Sequence, residues 1–267
     1  MRLAEPSETA NTDLMHQINN AEMPDSDWKG LYRLGHVAVW VMLLIFRRWL
    51  SSEFMLLRML GVIRVGPKAI PTLAVDWFTL LHDHPLIGLT LLNAFDMVNF
   101  ALVGLIVLAL CAALRRTDRG FMAIALVLSF AGIAVYIASN PAFSMLTLSQ
   151  QYAAATKDAQ RSQLLSKAQA LLATKNPAAV GQNVAFVFIN VAGLIISTLM
   201  LRSGVFSRAT AWMGLLHNAI ALGYPIGVAL APGIPAIPGA AWIISVFFWV
   251  LWYIGIAGTL RRLGSAC

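Results

Sequence analysis

Charge is scarce in this chain. Asp, Glu, Lys and Arg make up 12% of its 267 residues, against about 25% in a soluble domain. Cysteine is scarcer still: Cys111 lies in an apolar run and Cys267 is the last residue. Two such cysteines build neither a disulfide framework nor a thiolate metal site. Catalytic signatures are missing as well. There is no Walker loop, no H-E-x-x-H, no nucleophile elbow and no pair of acids at helical spacing in an apolar stretch. Neither a cofactor nor a metal is therefore expected. His82-Asp83-His84 puts alternate residues on different helical faces and reads as a polar loop, with metal ligation only if extended. No basic stripe interleaved with aromatics occurs, so the formal charge of +7 is not read as a nucleic-acid footprint. The first thirty residues are polar and acid-rich. They lack a basic start followed by an apolar run, so no cleavable signal peptide is expected.

What is abundant is hydrophobicity: 59% of residues, with a mean hydropathy of +0.73. Together with the low charge, this argues for lipid as the solvent. The expected fold is an all-α, polytopic transmembrane helix bundle of about six spans with an extracytoplasmic helical excursion. Residues 1–30 read as a polar tail and 31–265 as the bundle.

The longest apolar run is PLIGLTLLNAFDMVNFALVGLIVLALCAALRR, Pro85 to Arg116. A bilayer core needs only about 20 such residues. It reads as one long helix, Pro85 to Leu114, whose extra turns Leu86–Leu92 must be covered outside the lipid. The other expected spans are Leu31–Phe46, Phe121–Ser139, Gln182–Leu201, Thr210–Leu230 and Ala240–Leu260. Residues 51–84 are broken by Arg58, Gly66, Pro67, Pro71 and Asp76 and read as an interfacial helix followed by a short or re-entrant one. Residues 142–180 are too polar to span. Leu164, Leu165, Ala168, Leu171 and Leu172 mark one apolar helical face there, as expected for a hairpin lying over the bundle. Basic residues at 115–119, 202–208 and 261–262 alternate with an uncharged Pro/Gly turn at 231–239. The positive-inside rule then places the C-terminus in the cytoplasm and residues 142–180 outside, in an inner (plasma) membrane. Arg47, Arg48, Arg58, Arg64 and Lys68 fall on the outer side, against that rule.

The stretch LMLRSGVFSRATAWMGLLHNAIALGY, Leu199 to Tyr224, and the long helix with its Asn and Asp ahead of ALRR resemble a bacterial family of multi-pass membrane proteins. That family is catalogued only as a domain of unknown function. Arg202, Ser203, Gly204 and Arg208 match its Arg-Ser-Gly turn, and Asp96 matches an acid usual in its second helix. Ser207 stands where that turn usually has Pro. The resemblance covers about 85–260 and implies a fold and a membrane location, but no activity.

An acid inside a membrane span is a functional-site hypothesis by default. Asn93 and Asn99 lie three residues to either side of Asp96, on one helical face. At 1.5 Å per residue, Asp96 lies about 28 Å from Arg115 and His217 about 14 Å from Arg208, too different in depth to meet. The same count gathers Asn99, Tyr136, Asn140, Asn183, Tyr224 and Ser245 near the outer boundary. A deeper layer holds His217, Asn218, Asn190, Ser197 and Trp252, for which helix-to-helix hydrogen bonding suffices. Ala219, Gly223 and Gly227 have the spacing of a close helix contact. Three readings follow. The first is a module that binds or transports a small amphiphile, lipid or cation in an outer-leaflet pocket lined by Asp96, Asn93, Asn99, Tyr136, Asn140, Asn183 and Tyr224. The second is a membrane enzyme using Asp96 or His217 as acid or base. The third is a structural or assembly subunit without a ligand. Membrane lipids are the expected partners, and nucleic acid is not.

Overall fold

The computed structural model of the chain describes residues 28–51, 71–173, 180–230 and 236–265, and no strand occurs among them. Six long helices form its body. They are α1 (Lys29–Ser51), α4 (Phe95–Leu114), α5 (Arg119–Ser139), α8 (Val180–Ser203), α9 (Arg208–Leu230) and α10 (Ala236–Ser265). Shorter helices α2 (Ala74–Asp83), α3 (Pro85–Leu91), α6 (Ala142–Ala154) and α7 (Asp158–Ala173) fall between them. Among the described residues, five helical stretches are long and apolar enough to cross a membrane: Lys29–Arg47, Phe95–Leu114, Arg119–Ala154, Gly181–Ser203 and Ile243–Ser265. They make this a membrane protein. Helix α9 is of similar length; within its described residues, His217, Asn218, Tyr224 and Pro225 dilute the apolar run.

The six long helices close into a ring. Each packs on its neighbour in chain order, and α10 closes back onto α1. The pairings are antiparallel. Tyr136 near the end of α5 meets Asp96 at the start of α4, and Arg33 and His36 of α1 bond the carbonyls of Gly264 and Ala257 of α10. One end of the ring therefore carries the start of α1, the α4–α5 and α8–α9 links and the end of α10. Lys29, Arg33, Arg115, Arg116, Arg119, Arg202, Arg208, Arg261 and Arg262 all lie there.

The other end carries a cap of α2, α3, α6 and α7. Ala74, Trp77, Phe78 and Leu81 of α2, with Leu92, Ala142, Met145 and Ala168, form a second small core apart from that of the ring. Ser149 Oγ donates to the Phe78 carbonyl at 3.0 Å and pins α6 to α2. In the described part of 51–84, the second of the two expected helices is a short one, α2, which forms one wall of the cap. Its apolar stripe is too short to cross lipid but long enough to bury against α6 and α7. Residues 52–70, including the apolar run Phe54–Ile63, lie outside the described residues.

The expected long helix is two helices. The chain leaves α3 at Leu92–Ala94, and Asn93 takes a left-handed φ of +62°. The Asn93 amide bonds the Thr90 carbonyl and the Ala94 amide bonds the Leu89 carbonyl, both at 3.0 Å. That pair of bonds is a Schellman helix end, and Asn is the residue after Gly that best tolerates its conformation. The surplus apolar turns therefore fold into the cap instead of extending the span. Their cover is one-sided. Gly88 and Leu92 are buried, whereas Leu86 and Ile87 stay 70% and 53% exposed.

The glycines that bring helices together are not the ones expected either. Gly223 has open space where a side chain would be, and Ala219 is exposed. A methyl group at Gly193 would overlap Asn218, one at Gly214 would overlap Ser197 and Trp252, and one at Gly255 would overlap Thr210. Gly193, Gly214 and Gly255 lie on the α8–α9–α10 contacts, and Gly223 points away from them.

Candidate functional site

Asp96 sits in the first turn of α4, half-buried, just below the break at Asn93. Its Oδ2 accepts a hydrogen bond from Tyr136 Oη at 2.8 Å. Tyr136 is 3% exposed. Its ring lies between Phe100, with centroids 4.1 Å apart, and Phe186, at 6.1 Å. Gln182, in the first turns of α8, lies beside the same hydroxyl. A carboxylate, a phenol and an amide from three adjacent helices thus meet at the cap end of the ring. Asn99 is half-buried one turn further along α4, and Asn183 is half-buried beside Gln182.

Two of the expected lining residues hold the backbone instead. Asn140 lies where α5 gives way to α6 at Asn140-Pro141, since Pro cannot continue the hydrogen-bond ladder. Its Nδ2 donates to the Asn93 carbonyl at 3.1 Å, and its Oδ1 accepts from the Ala142 amide at 2.9 Å. One side chain therefore ties the break between α3 and α4 to the break between α5 and α6. Asn93 contributes its carbonyl and its left-handed turn, not a position on the Asp96 face of a continuous helix.

The remaining candidates lie elsewhere. Tyr224 is half-buried on α9, which packs on α8 and α10. His217 Nδ1 donates to the Ser245 carbonyl at 2.9 Å, and its ring lies tilted beside that of Trp252, with centroids 6.0 Å apart. Asn190 donates to the Phe186 carbonyl at 2.7 Å and Asn218 to the Gly214 carbonyl at 2.7 Å, each one turn back on its own helix. Ser197 Oγ and Trp252 Nε1 are buried, with no hydrogen-bond partner among the described residues. Among those residues no group of three His, Cys, Asp or Glu side chains is placed to hold a metal, and His82, Asp83 and His84 are all exposed. Sequence reasoning missed Gln182 and the aromatic walls Phe100 and Phe186. The helical spacing of Asp96 and Phe100 was a signal for one wall. Nothing in the sequence separates the face of Gln182 from that of Asn183.

A family model described as Domain of unknown function (DUF4386) matches residues 53–253. The chain belongs to this family. The match takes in the cap, Asp96, Tyr136, Gln182 and the Arg-Ser-Gly turn. No curated protein and no solved structure matches. In this DUF4386 protein the turn is built as its residues suggest. Gly204 has a φ of +64°, the left-handed conformation of a helix end. Ser203 Oγ accepts from the Val205 amide at 3.2 Å. Ser207 caps α9, accepting from the Thr210 amide at 3.1 Å, so a serine can start this helix where a proline would otherwise do so.

Proposed function

We propose that this DUF4386 protein is a six-span, multi-pass protein of the inner membrane, with the basic end of its ring in the cytoplasm. On this reading the Asp96–Tyr136 pair binds a small amphiphile, lipid or cation at the level of the outer leaflet, with Gln182, Asn99 and Asn183 as polar neighbours. The charge asymmetry between the two ends supports the orientation. The observation that carries the site is the half-buried Asp96 carboxylate held by the buried Tyr136 hydroxyl. A carboxylate in hydrocarbon costs at least about 2.5–3.5 kcal/mol, so Asp96 is a costly residue for a span unless something uses it. Phe95, Val98 and Ile137 are exposed on the same turns of α4 and α5, which gives an apolar flank to any ligand with a tail.

A second reading is acid–base chemistry. Tyr136 is a titratable group within hydrogen-bond reach of Asp96, as a general acid–base pair requires. The two readings separate in a thermal-shift screen of the detergent-solubilised protein with Na⁺, K⁺ and alkylammonium ions. Binding predicts stabilisation of the wild type and of Tyr136→Phe, lost in Asp96→Asn with folding retained. Acid–base chemistry without a bound cation or amphiphile predicts no such stabilisation in the wild type or in either variant. An Asp96→Asn variant that keeps the full ligand response contradicts the site.

A further inference from the structure

The basic end is not uniform. Its densest part is the corner where α1 meets α4 and α10. Arg33 Nε donates to the Gly264 carbonyl at 3.1 Å, which holds the α1 guanidinium beside the end of α10, where Arg261 and Arg262 lie. Arg115 covers the Trp28 ring at 5.0 Å, bringing the end of α4 to the same place, and Arg116 lies near Tyr32. Lys29 is four residues before Arg33, on the same face of α1. Asp118 is the one acid among the described residues at this end, and it accepts from the Phe121 amide as the cap of α5.

Directly beyond these cations the surface turns apolar. Leu34, Val37, Val41 and Leu44 are exposed on α1 at spacings of three, four and three. Phe247, Leu251 and Ile254 are exposed at the same kind of spacing on α10, which continues to the exposed Arg261. Because α1 and α10 are antiparallel neighbours, both apolar stripes run into the cations at one end. Clustered guanidinium and ammonium groups above two apolar helix faces match one kind of molecule: a lipid with phosphates at its head and acyl chains below. Nucleic acid would have no use for the apolar stripes.

We propose that this corner is a binding surface for an anionic phospholipid carrying two phosphates. The assignment rests on the membrane reading above but not on the Asp96 site. The opposite corner, between α8 and α9, has only Arg202 and Arg208 among the described residues and serves as its control.

The test is native mass spectrometry and thermal shift of the detergent-solubilised full chain with diphosphatidylglycerol, phosphatidylglycerol or phosphatidylethanolamine of matched chains, and with inorganic pyrophosphate. The expected result is preferential retention of diphosphatidylglycerol and little response to pyrophosphate. Lys29→Gln with Arg261→Gln, two side chains that make no hydrogen bond among the described residues, should weaken retention by roughly tenfold or more. Arg202→Gln with Arg208→Gln should leave it within about twofold. Equal retention of the three lipids, an equal response to pyrophosphate, or an equal loss in both double variants overturns the proposal. Recovery of all variants from the membrane fraction separates this outcome from failure of the membrane reading itself.

Discussion

Two polar layers sit in one helical ring, and they hold their side-chain amides in opposite ways. In the layer at the cap end, Asp96, Tyr136 and Asn140 bond across helices, with Gln182 beside them and two breaks in the backbone next to them. In the deeper layer, Asn190 and Asn218 turn back onto their own helices, His217 bonds across to the Ser245 carbonyl of α10, and glycines let α8, α9 and α10 close on one another. Ser197 and Trp252 bury polar atoms there among close-packed backbones. Polar composition alone does not distinguish a site from a seam. A broken helix frees backbone and side-chain groups to meet something from outside the helix. On the continuous, glycine-packed helices α8 and α9, Asn190 and Asn218 are consumed locally.

Breaking the deeper layer gives the largest effect. Gly214→Leu forces a side chain into Ser197 and Trp252 and is expected to destabilise by about 3 kcal/mol through overpacking. Gly223→Leu, with open space at its Cβ, should stay within about 0.5 kcal/mol. Thermal unfolding in detergent measures both, and similar melting temperatures would mean that the α8–α9–α10 seam is not close-packed.

Asn140→Ala comes next. It removes the bond to the Asn93 carbonyl and the one from the Ala142 amide, with an expected cost of about 2 kcal/mol. Hydrogen exchange should rise at both breaks together. A rise in α6 alone would mean that the tie to Asn93 contributes nothing. The smallest of the three concerns Asn93 itself. Asn93→Ala should cost about 1 kcal/mol in the left-handed conformation and Asn93→Gly nearly nothing. Equal effects would indicate that the break does not depend on that residue's φ.

How far the sequence reaches is clear from these same residues. The basic links and the apolar lengths between them give the six long segments, because membrane length and charge placement are one-dimensional signals. The cap hairpin is legible from the period of Leu164, Ala168 and Leu171. The break at Asn93 is not, since an Asn inside an apolar run reads as a polar residue on a helix until its φ is known. The consequence reaches the site: helical spacing puts Asn93 on the Asp96 face, but the helix that would carry it there starts only after the break. Depth counting brings Tyr136, Asn183 and Tyr224 to one level. It is blind to azimuth, and Tyr224 lies on α9, which packs on α8 and α10. The close-contact glycines were missed for the same reason. Spacing along one helix does not show which side meets a neighbour, and Pro225, not Gly223, is the buried residue there.

The claim that the cap-end layer is a site and the deeper layer a seam is tested most directly by substituted-cysteine accessibility. In a cysteine-free background, Asn99→Cys and Ser197→Cys are each exposed in intact spheroplasts to a small cationic methanethiosulfonate. Asn99→Cys is predicted to react, and to be slowed by whichever cation or amphiphile stabilises the wild type, while Ser197→Cys stays silent until the protein is unfolded. Silence at position 99, or faster reaction at 197 than at 99, would contradict the account.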